Sequence, residues 1–229
     1  MAVFEDLKIS ARRSVSMNRR RKASEDDYDC VFKKDEGTGL FYAYINSDYN
    51  INSPLPCILK HISGFNPEKP DESLRYILKS IDTEMLSRGY ISRCVCLIFK
   101  TQDKFYVAKV GGGIFLFAIC PPLIDGLPVS TYPVANRSWE SERDFFCGSG
   151  GAIPLVEQVD SDSSLVAMTH TMMTDLEAAY EKEVTEILEE SFSAGVDREE
   201  ANGFLNDIFE FIYKSNNTGD VDAYISLIC

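Results

Sequence analysis

The 229-residue sequence is poor in histidine, with only His61 and His170, and carries a single tryptophan. Its seven cysteines, Cys30, Cys57, Cys94, Cys96, Cys120, Cys147 and Cys229, form no Cys-x-x-Cys pair. A zinc site would need several of them to converge, and nothing in their spacing brings them together. An odd, scattered set inside apolar runs reads instead as reduced core cysteine, and so as a cytoplasmic protein. Basic charge is scarce as well. Twenty-three Lys and Arg against 36 Asp and Glu leave a net charge of −13, which excludes general binding to nucleic-acid phosphates. No apolar run reaches the roughly 20 residues of a membrane span. The opening Met-Ala-Val-Phe-Glu-Asp lacks the apolar stretch of a secretory signal. What remains, 45% hydrophobic residues, suffices for the core of one good-sized domain.

The charge is unevenly placed. Residues 1–24 hold seven Lys or Arg and two Asp or Glu, a local +5, so the rest of the chain carries −18. Residues 1–20 are polar and aperiodic and read as a basic, disordered arm ahead of a body spanning 21–229. Such an arm is either a solvated leader or a contact for an acidic partner or membrane. Arg21-Lys22-Ala23-Ser24 also fits the pattern of a basophilic kinase site at Ser24.

Tyr28–Phe32 and Leu40–Ile45 read as strands joined by a turn-rich segment, Lys33 to Gly39. Leu55–Ile62 reads as a short helix. Pro70-Asp71-Glu72 opens a longer one, in which Leu74, Ile77, Leu78, Ile81 and Met85 form one apolar stripe and Gly89 is the stop. Arg93–Phe99, Phe105–Val110 and Ile114–Cys120 are apolar on both faces, as strands buried on both sides are. Cys94 and Cys96 share a face, and Gly111-Gly112-Gly113 makes a hairpin turn. Residues 121–162 read as long loops, with Cys147-Gly148-Ser149-Gly150-Gly151 flexible and exposed. A strand at Leu165–Thr169, helices opened by the capping boxes Thr174-Asp175-Leu176-Glu177 and Asp197-Arg198-Glu199-Glu200, and a final strand at Ala223–Ile228 complete the chain. Helices come in pairs and do not alternate with every strand. The pattern therefore predicts an α+β fold, a four-layer α-β-β-α sandwich with two largely antiparallel sheets.

Arg21, Glu25 and Asp26 stand together just ahead of the first apolar run. A guanidinium there can hold phosphate oxygens in a bidentate fork, and the two carboxylates can hold a divalent cation. Arg21-Lys22-Ala23-Ser24-Glu25-Asp26 is similar to the Arg-x-x-(Met/Asn)-Glu-Asp motif of the metal-dependent protein phosphatase 2C family. Tyr42-Ala43-Tyr44-Ile45-Asn46-Ser47-Asp48-Tyr49-Asn50 resembles its Phe-(Ala/Gly)-Val-(Tyr/Phe)-Asp-Gly-His-Gly-Gly motif. Phe105-Tyr106-Val107-Ala108-Lys109-Val110-Gly111 resembles its Leu-Tyr-Val-Ala-Asn-Val-Gly. The family's Ser-Asp-Gly segment falls on Thr169-His170-Thr171, and its final Asp-Asn-Met segment on Asp220-Val221-Asp222. The resemblance covers residues 21 to 229 in the family's motif order.

The resemblance implies metal positions at Glu25, Asp26, Asn46, Ser47, His170 and Asp220, with Asp222 as an alternative register, and a phosphate position at Arg21. In the family one carboxylate bridges two metal ions that activate water. Here that position is Asn46, whose amide supplies a carbonyl oxygen and no charge, and His170 replaces a second acid. The sequence also resembles pseudophosphatases of this fold, which keep Asn at the bridging position and bind TGF-beta-activated kinase. The expectation drawn is a catalytically inactive, pseudophosphatase-type adaptor in the cytoplasm. It has no catalytic residues and no cofactor, or at most one weakly held Mg or Mn ion at Glu25, Asp26 and Asp220. Its partner would be a signalling kinase of the TGF-beta-activated kinase type or its regulators. The alternative is a divergent metal-dependent Ser/Thr protein phosphatase with weak activity, in which a shifted ligand such as Asp48 takes part. A third reading is an unrelated α+β binding protein.

Overall fold

The computed structural model describes residues 13–15, 31–35, 40–46, 55–62, 64–112, 114–120, 130–135, 147–169, 186, 189, 221–223 and 225–228. The chain divides into two compact units, each built from separated segments. One comprises residues 1–5, 23–114 and 135–161, and the other 6–22, 115–134 and 162–229.

The first unit is built on a five-stranded sheet of order β2-β3-β4-β5-β8, antiparallel at every step. Its strands are β2 (Val31–Asp35), β3 (Leu40–Asn46), β4 (Cys94–Lys100), β5 (Lys104–Gly111) and β8 (Leu155–Asp160). Helices α1 (Leu55–Ile62) and α2 (Pro70–Ser87) connect β3 to β4. The α2 stripe lies where its 3.6-residue spacing places it. Leu74, Ile77, Leu78, Ile81 and Met85 are at most 1% exposed and pack with Cys57, Ile58 and Ile62 of α1 against Val95, Leu97 and Phe99 of β4 and Ala108 and Val110 of β5. Each such aliphatic side chain contributes about 1.5–3 kcal/mol on burial, so this seam fixes the helices on the sheet. Phe65 adds a ring 4.1 Å from that of Phe99, centroid to centroid.

Both ends of α2 follow its sequence. Pro70 stands at the first turn, where its missing N–H costs nothing, and Asp71 and Glu72 complement the helix dipole. At the other end Gly89 takes φ +68. Its N–H donates to Leu86 O at 3.0 Å, and the N–H of Tyr90 donates to Met85 O at 2.8 Å. This is the paired closure of a left-handed helix stop.

The opposite face of β4 and β5 is equally buried. Cys94, Cys96, Ile98, Phe105 and Val107 are fully buried and Lys109 is 1% exposed. Doubly apolar strands are thus explained by burial on both faces.

The second unit contains a four-stranded sheet of order β11-β9-β6-β7, with β6 (Ile114–Cys120), β7 (Ser130–Val134), β9 (Ser164–Thr169) and β11 (Ile225–Ile228). The pairs β6–β7 and β11–β9 are antiparallel. A two-stranded ribbon joins β1 (Arg13–Val15) to β10 (Val221–Ala223). The α+β class with antiparallel sheets is as the sequence predicts.

Four local readings differ from the structure. The strands on either side of Gly111-Gly112-Gly113 form no hairpin, since β5 lies between β4 and β8 in the five-stranded sheet and β6 lies in the four-stranded one. Residues 121–162 are not merely loops, since they contribute β7 and β8. The strand read at Tyr28–Phe32 is described from Val31 onward, and it continues through Lys33, Lys34 and Asp35, part of the segment read as turn. Its register on β3, Lys33 opposite Tyr42 and Asp35 opposite Leu40, supplies the backbone partners that carry it past its apolar part. Arg13–Val15, inside the segment read as a disordered arm, pairs with β10. The two helices expected after Thr174 lie outside the described residues, apart from Glu186 and Glu189, which are helical.

Candidate functional site

Of the positions singled out from sequence, Asn46 and Asp222 fall within described strands. Arg21, Ser24, Glu25, Asp26, Ser47, Asp48, His170 and Asp220 lie outside the described residues. Asn46 is the last residue of β3, and its register partner on β4 is Cys94, which in turn faces Gly111 on β5. Asn46, Cys94 and Gly111 therefore form one cross-strand row at one end of the five-stranded sheet. Asp222 stands opposite Ser14 in the β1–β10 ribbon. Along the chain, His170 follows directly on β9, and Asp220 directly precedes β10.

The next row but one inward pairs Tyr44 with Cys96 and Cys96 with Lys109. Lys109 is the one buried lysine among the described residues. Its ammonium donates to Ile114 O at 3.0 Å. Ile114 opens β6, past the Gly111 end of β5, so the lysine head is directed to the same sheet end as the Asn46 row. A buried ammonium is tolerated only where it is bonded. Burial pushes the neighbouring Cys96 thiol up to about 12, with Lys109 pulling the other way. That thiol stays protonated and is no nucleophile. Sequence reading aligned Lys109 to an Asn of the family motif without giving it a role. The signal that could have flagged it was a lone charge inside an otherwise apolar strand.

A second polar feature lies along α2's buried face. Asp82, 3% exposed, accepts the backbone N–H groups of Gly148 at 2.5 Å, Gly150 at 3.3 Å and Ala152 at 3.3 Å. Cys147 is fully buried. It exchanges backbone hydrogen bonds of 2.9 Å in both directions with Ser92, and its thiol lies 3.7 Å from Met85 Sδ. The expectation of a flexible, exposed segment is thus corrected at Cys147 and Gly148. A buried carboxylate needs donors, and the glycine-rich turn supplies them. Burial, joined by the Asp82 charge, raises the Cys147 thiol far above its ordinary range. The five described cysteines, Cys57, Cys94, Cys96, Cys120 and Cys147, are free thiols, as the reduced reading expects.

Among the described residues no group of three or more His, Cys, Asp or Glu is placed to hold a metal ion. Among them also, no helix is long and apolar enough to cross a membrane.

No family model matches the sequence, and no curated protein matches it. Solved structures do resemble it. The chain superposes on the serine/threonine phosphatase Stp1 from Staphylococcus aureus with TM-score 0.63 and 6% identity, over 100% of this chain and 97% of that one. It also superposes on the catalytic domain of the serine/threonine protein phosphatase PstP in complex with two manganese ions. There the TM-score is 0.55 and the identity 9%, over 94% and 95% of the two chains. The serine/threonine phosphatase PstP/Ppp of Mycobacterium tuberculosis gives TM-score 0.56 and 8% identity over the same shares.

The likeness is one of fold, and the fold is the phosphatase 2C-like α+β fold that the motif order implied. It corrects the expectation that the chain is not an enzyme. The scaffolds it matches nearly end to end belong to phosphatases, one of them holding two manganese ions. The expectation rested on Asn46 and His170. A neutral amide and an imidazole weaken a cation site by removing charge, but both remain donors.

Proposed function

We propose that this protein is a divergent metal-dependent serine/threonine protein phosphatase of weak activity. The observation that carries the reading is the match of nearly the whole chain to serine/threonine phosphatases of the same fold. Supporting it are Arg21, Glu25 and Asp26, which stand in the order and spacing of that fold's first motif.

The donor set fits one divalent ion better than a bridged pair. Asn46 brings no charge to the bridging position, and Lys109, two rows away, puts a buried positive charge at the same end of the sheet. The motif resemblance would assign the single ion to Glu25, Asp26 and Asp220. When bound, a divalent ion supplies Lewis-acid polarisation of the phosphoryl group and lowers the pKa of water. The chain's own contribution is then the Arg21 fork, which holds two phosphoryl oxygens and orients the ester. One ion in place of two removes several kcal/mol of transition-state stabilisation, which is why the turnover is weak.

The protein partner expected from sequence enters this reading as substrate. A signalling kinase of the TGF-beta-activated kinase type, or one of its regulators, is the proposed carrier of the phosphoserine or phosphothreonine. The test is hydrolysis of a phosphothreonine peptide with Mn or Mg by the full chain and by Glu25→Ala. Slow, metal-dependent release of phosphate that Glu25→Ala abolishes supports the reading, and no release above the buffer rate overturns it.

A further inference from the structure

The seam between α1 and α2 carries a groove on the surface away from their sheet-facing stripe. It has a volume of about 730 Å³ and is lined by Lys60, His61, Tyr76, Lys79, Glu84 and Arg88, with helix hydroxyls between them. Its charge is opposite to that of the molecule. Three obligate cations surround one carboxylate, a local +2 with His61 neutral, in a chain of net charge −13.

Glu84 shows what this groove binds. Its Oε2 accepts Lys60 Nζ at 2.8 Å and lies 2.7 Å from His61 Nε2, while its Oε1 accepts Arg88 Nη2. Although Glu84 lies at the surface, its side chain is only 11% exposed. Chiefly the Lys60 hydrogen bond holds its carboxyl down to about 2. The groove is thus arranged to hold carboxylate oxygens, and Glu84 fills only its inner end. Lys79, one turn towards the start of α2, makes no ion pair with any described residue. Beside it Tyr76 is 72% exposed, a large rigid ring of the type that anchors apolar side chains at interfaces.

We infer that the α1–α2 groove is a docking site for an acidic peptide segment of a partner protein. Charge complementarity selects the occupant. A carboxylate of the segment pairs with Lys79, and a neighbouring apolar side chain lies on the Tyr76 ring. A segment of this kind is repelled by the acidic remainder of the body, which narrows its landing place to this groove. The site is independent of the phosphatase reading, since it uses none of Arg21, Glu25, Asp26, Asn46 or Asp220.

The experiment is fluorescence anisotropy of a labelled ten-residue peptide alternating Glu with Leu, titrated with the full chain at low and at physiological salt. Three variants accompany it: Lys79→Glu, Tyr76→Ala, and Arg19→Gln with Arg20→Gln in the basic N-terminal segment. The result expected is saturable binding that weakens with salt and falls about tenfold in Lys79→Glu. Tyr76→Ala also weakens it, and the Arg19 and Arg20 changes leave it intact. Phosphothreonine-peptide hydrolysis by Lys79→Glu stays at the wild-type rate, which separates this site from the catalytic one. Four results overturn the inference. They are no saturable binding at low salt, equal binding by Lys79→Glu, loss of binding in the Arg19 and Arg20 variant, or Lys79-dependent capture of phosphatidylserine vesicles in place of the peptide.

Discussion

Asp82 and Gly148 are joined by a hydrogen bond of 2.5 Å from the glycine N–H to the carboxylate, and the bond ties α2 to a turn 66 residues further along the chain. Gly148 has φ +97, and a Cβ placed there would lie 2.1 Å from the backbone oxygen of Tyr90. The contact is possible only because the residue has no side chain. Gly148→Ala should therefore lower unfolding free energy by about 3 kcal/mol or more, through strain plus loss of the Asp82 bond. Gly89, at φ +68 with open space wherever a methyl group would reach, is the control. Gly89→Ala should cost about 1 kcal/mol, the left-handed backbone penalty alone. Urea midpoints at unchanged m-value decide between the two.

Removing the acceptor tests the same tie from the other side. Asp82→Ala leaves the N–H groups of Gly148, Gly150 and Ala152 without their carboxylate. Buried donors stripped of a charged partner cost about 2–3 kcal/mol. The double variant Asp82→Ala with Gly148→Ala should lose less than the sum of the singles, because both act on one contact. Strict additivity would separate the two residues energetically.

Stability should also report the Glu84 cluster. Its carboxyl is lowered from 4.5 to about 2, first by the Lys60 hydrogen bond and then by those from His61 and Arg88. A depressed folded-state value means the stabilisation is fully present above the ordinary carboxyl range. It is lost as pH falls from about 4.5 through about 2. The stability difference between the wild type and Glu84→Gln should hold steady near neutral pH and close across that window. A difference that stays constant to the acid limit would remove the cluster from the pH response.

The sequence carried the buried half of this fold well and the edges badly. The α2 stripe and the doubly apolar β4, β5 and β6 are all visible as periodicity, because burial on one or both faces writes itself into residue type. β7 and β8 are not. Each is an edge strand, β7 of the four-stranded sheet and β8 of the five-stranded one. Ser130, Tyr132 and Pro133 of β7 and Glu157 and Gln158 of β8 are exposed, so neither strand shows an apolar run. Pro133 has no N–H to give to a ladder, so it argues against a strand anywhere but at an edge. The candidate site was legible only as short motifs, because its polar residues have no period. Lys109 was overlooked because one charge among apolar neighbours has no period. Only the register, which sets it beside Cys96 and two rows from Asn46, gives it a meaning.

That register makes a prediction about metal. Asn46→Asp restores a charge to the bridging position, and Lys109→Asn removes the opposing one from the same sheet end. The double variant should bind Mn more tightly than the wild type, on the order of tenfold, and hydrolyse a phosphothreonine peptide faster. Asn46→Asp alone should gain less, because Lys109 remains to compete with the ion. Calorimetric Mn titration of the three chains checks the order, and equal affinity in all three would leave Lys109 without influence on the ion.

The central claim is that the chain hydrolyses a phosphate ester through a metal held by Glu25 and Asp26. The most direct measurement is phosphate release from a phosphothreonine peptide by the full chain at saturating Mn, before and after chelation, beside Glu25→Ala and Arg21→Ala. Slow release is expected, which chelation and Glu25→Ala abolish and which Arg21→Ala reduces mainly through a raised KM. Release at the buffer rate in every sample, or release that survives both chelation and Glu25→Ala, would contradict it.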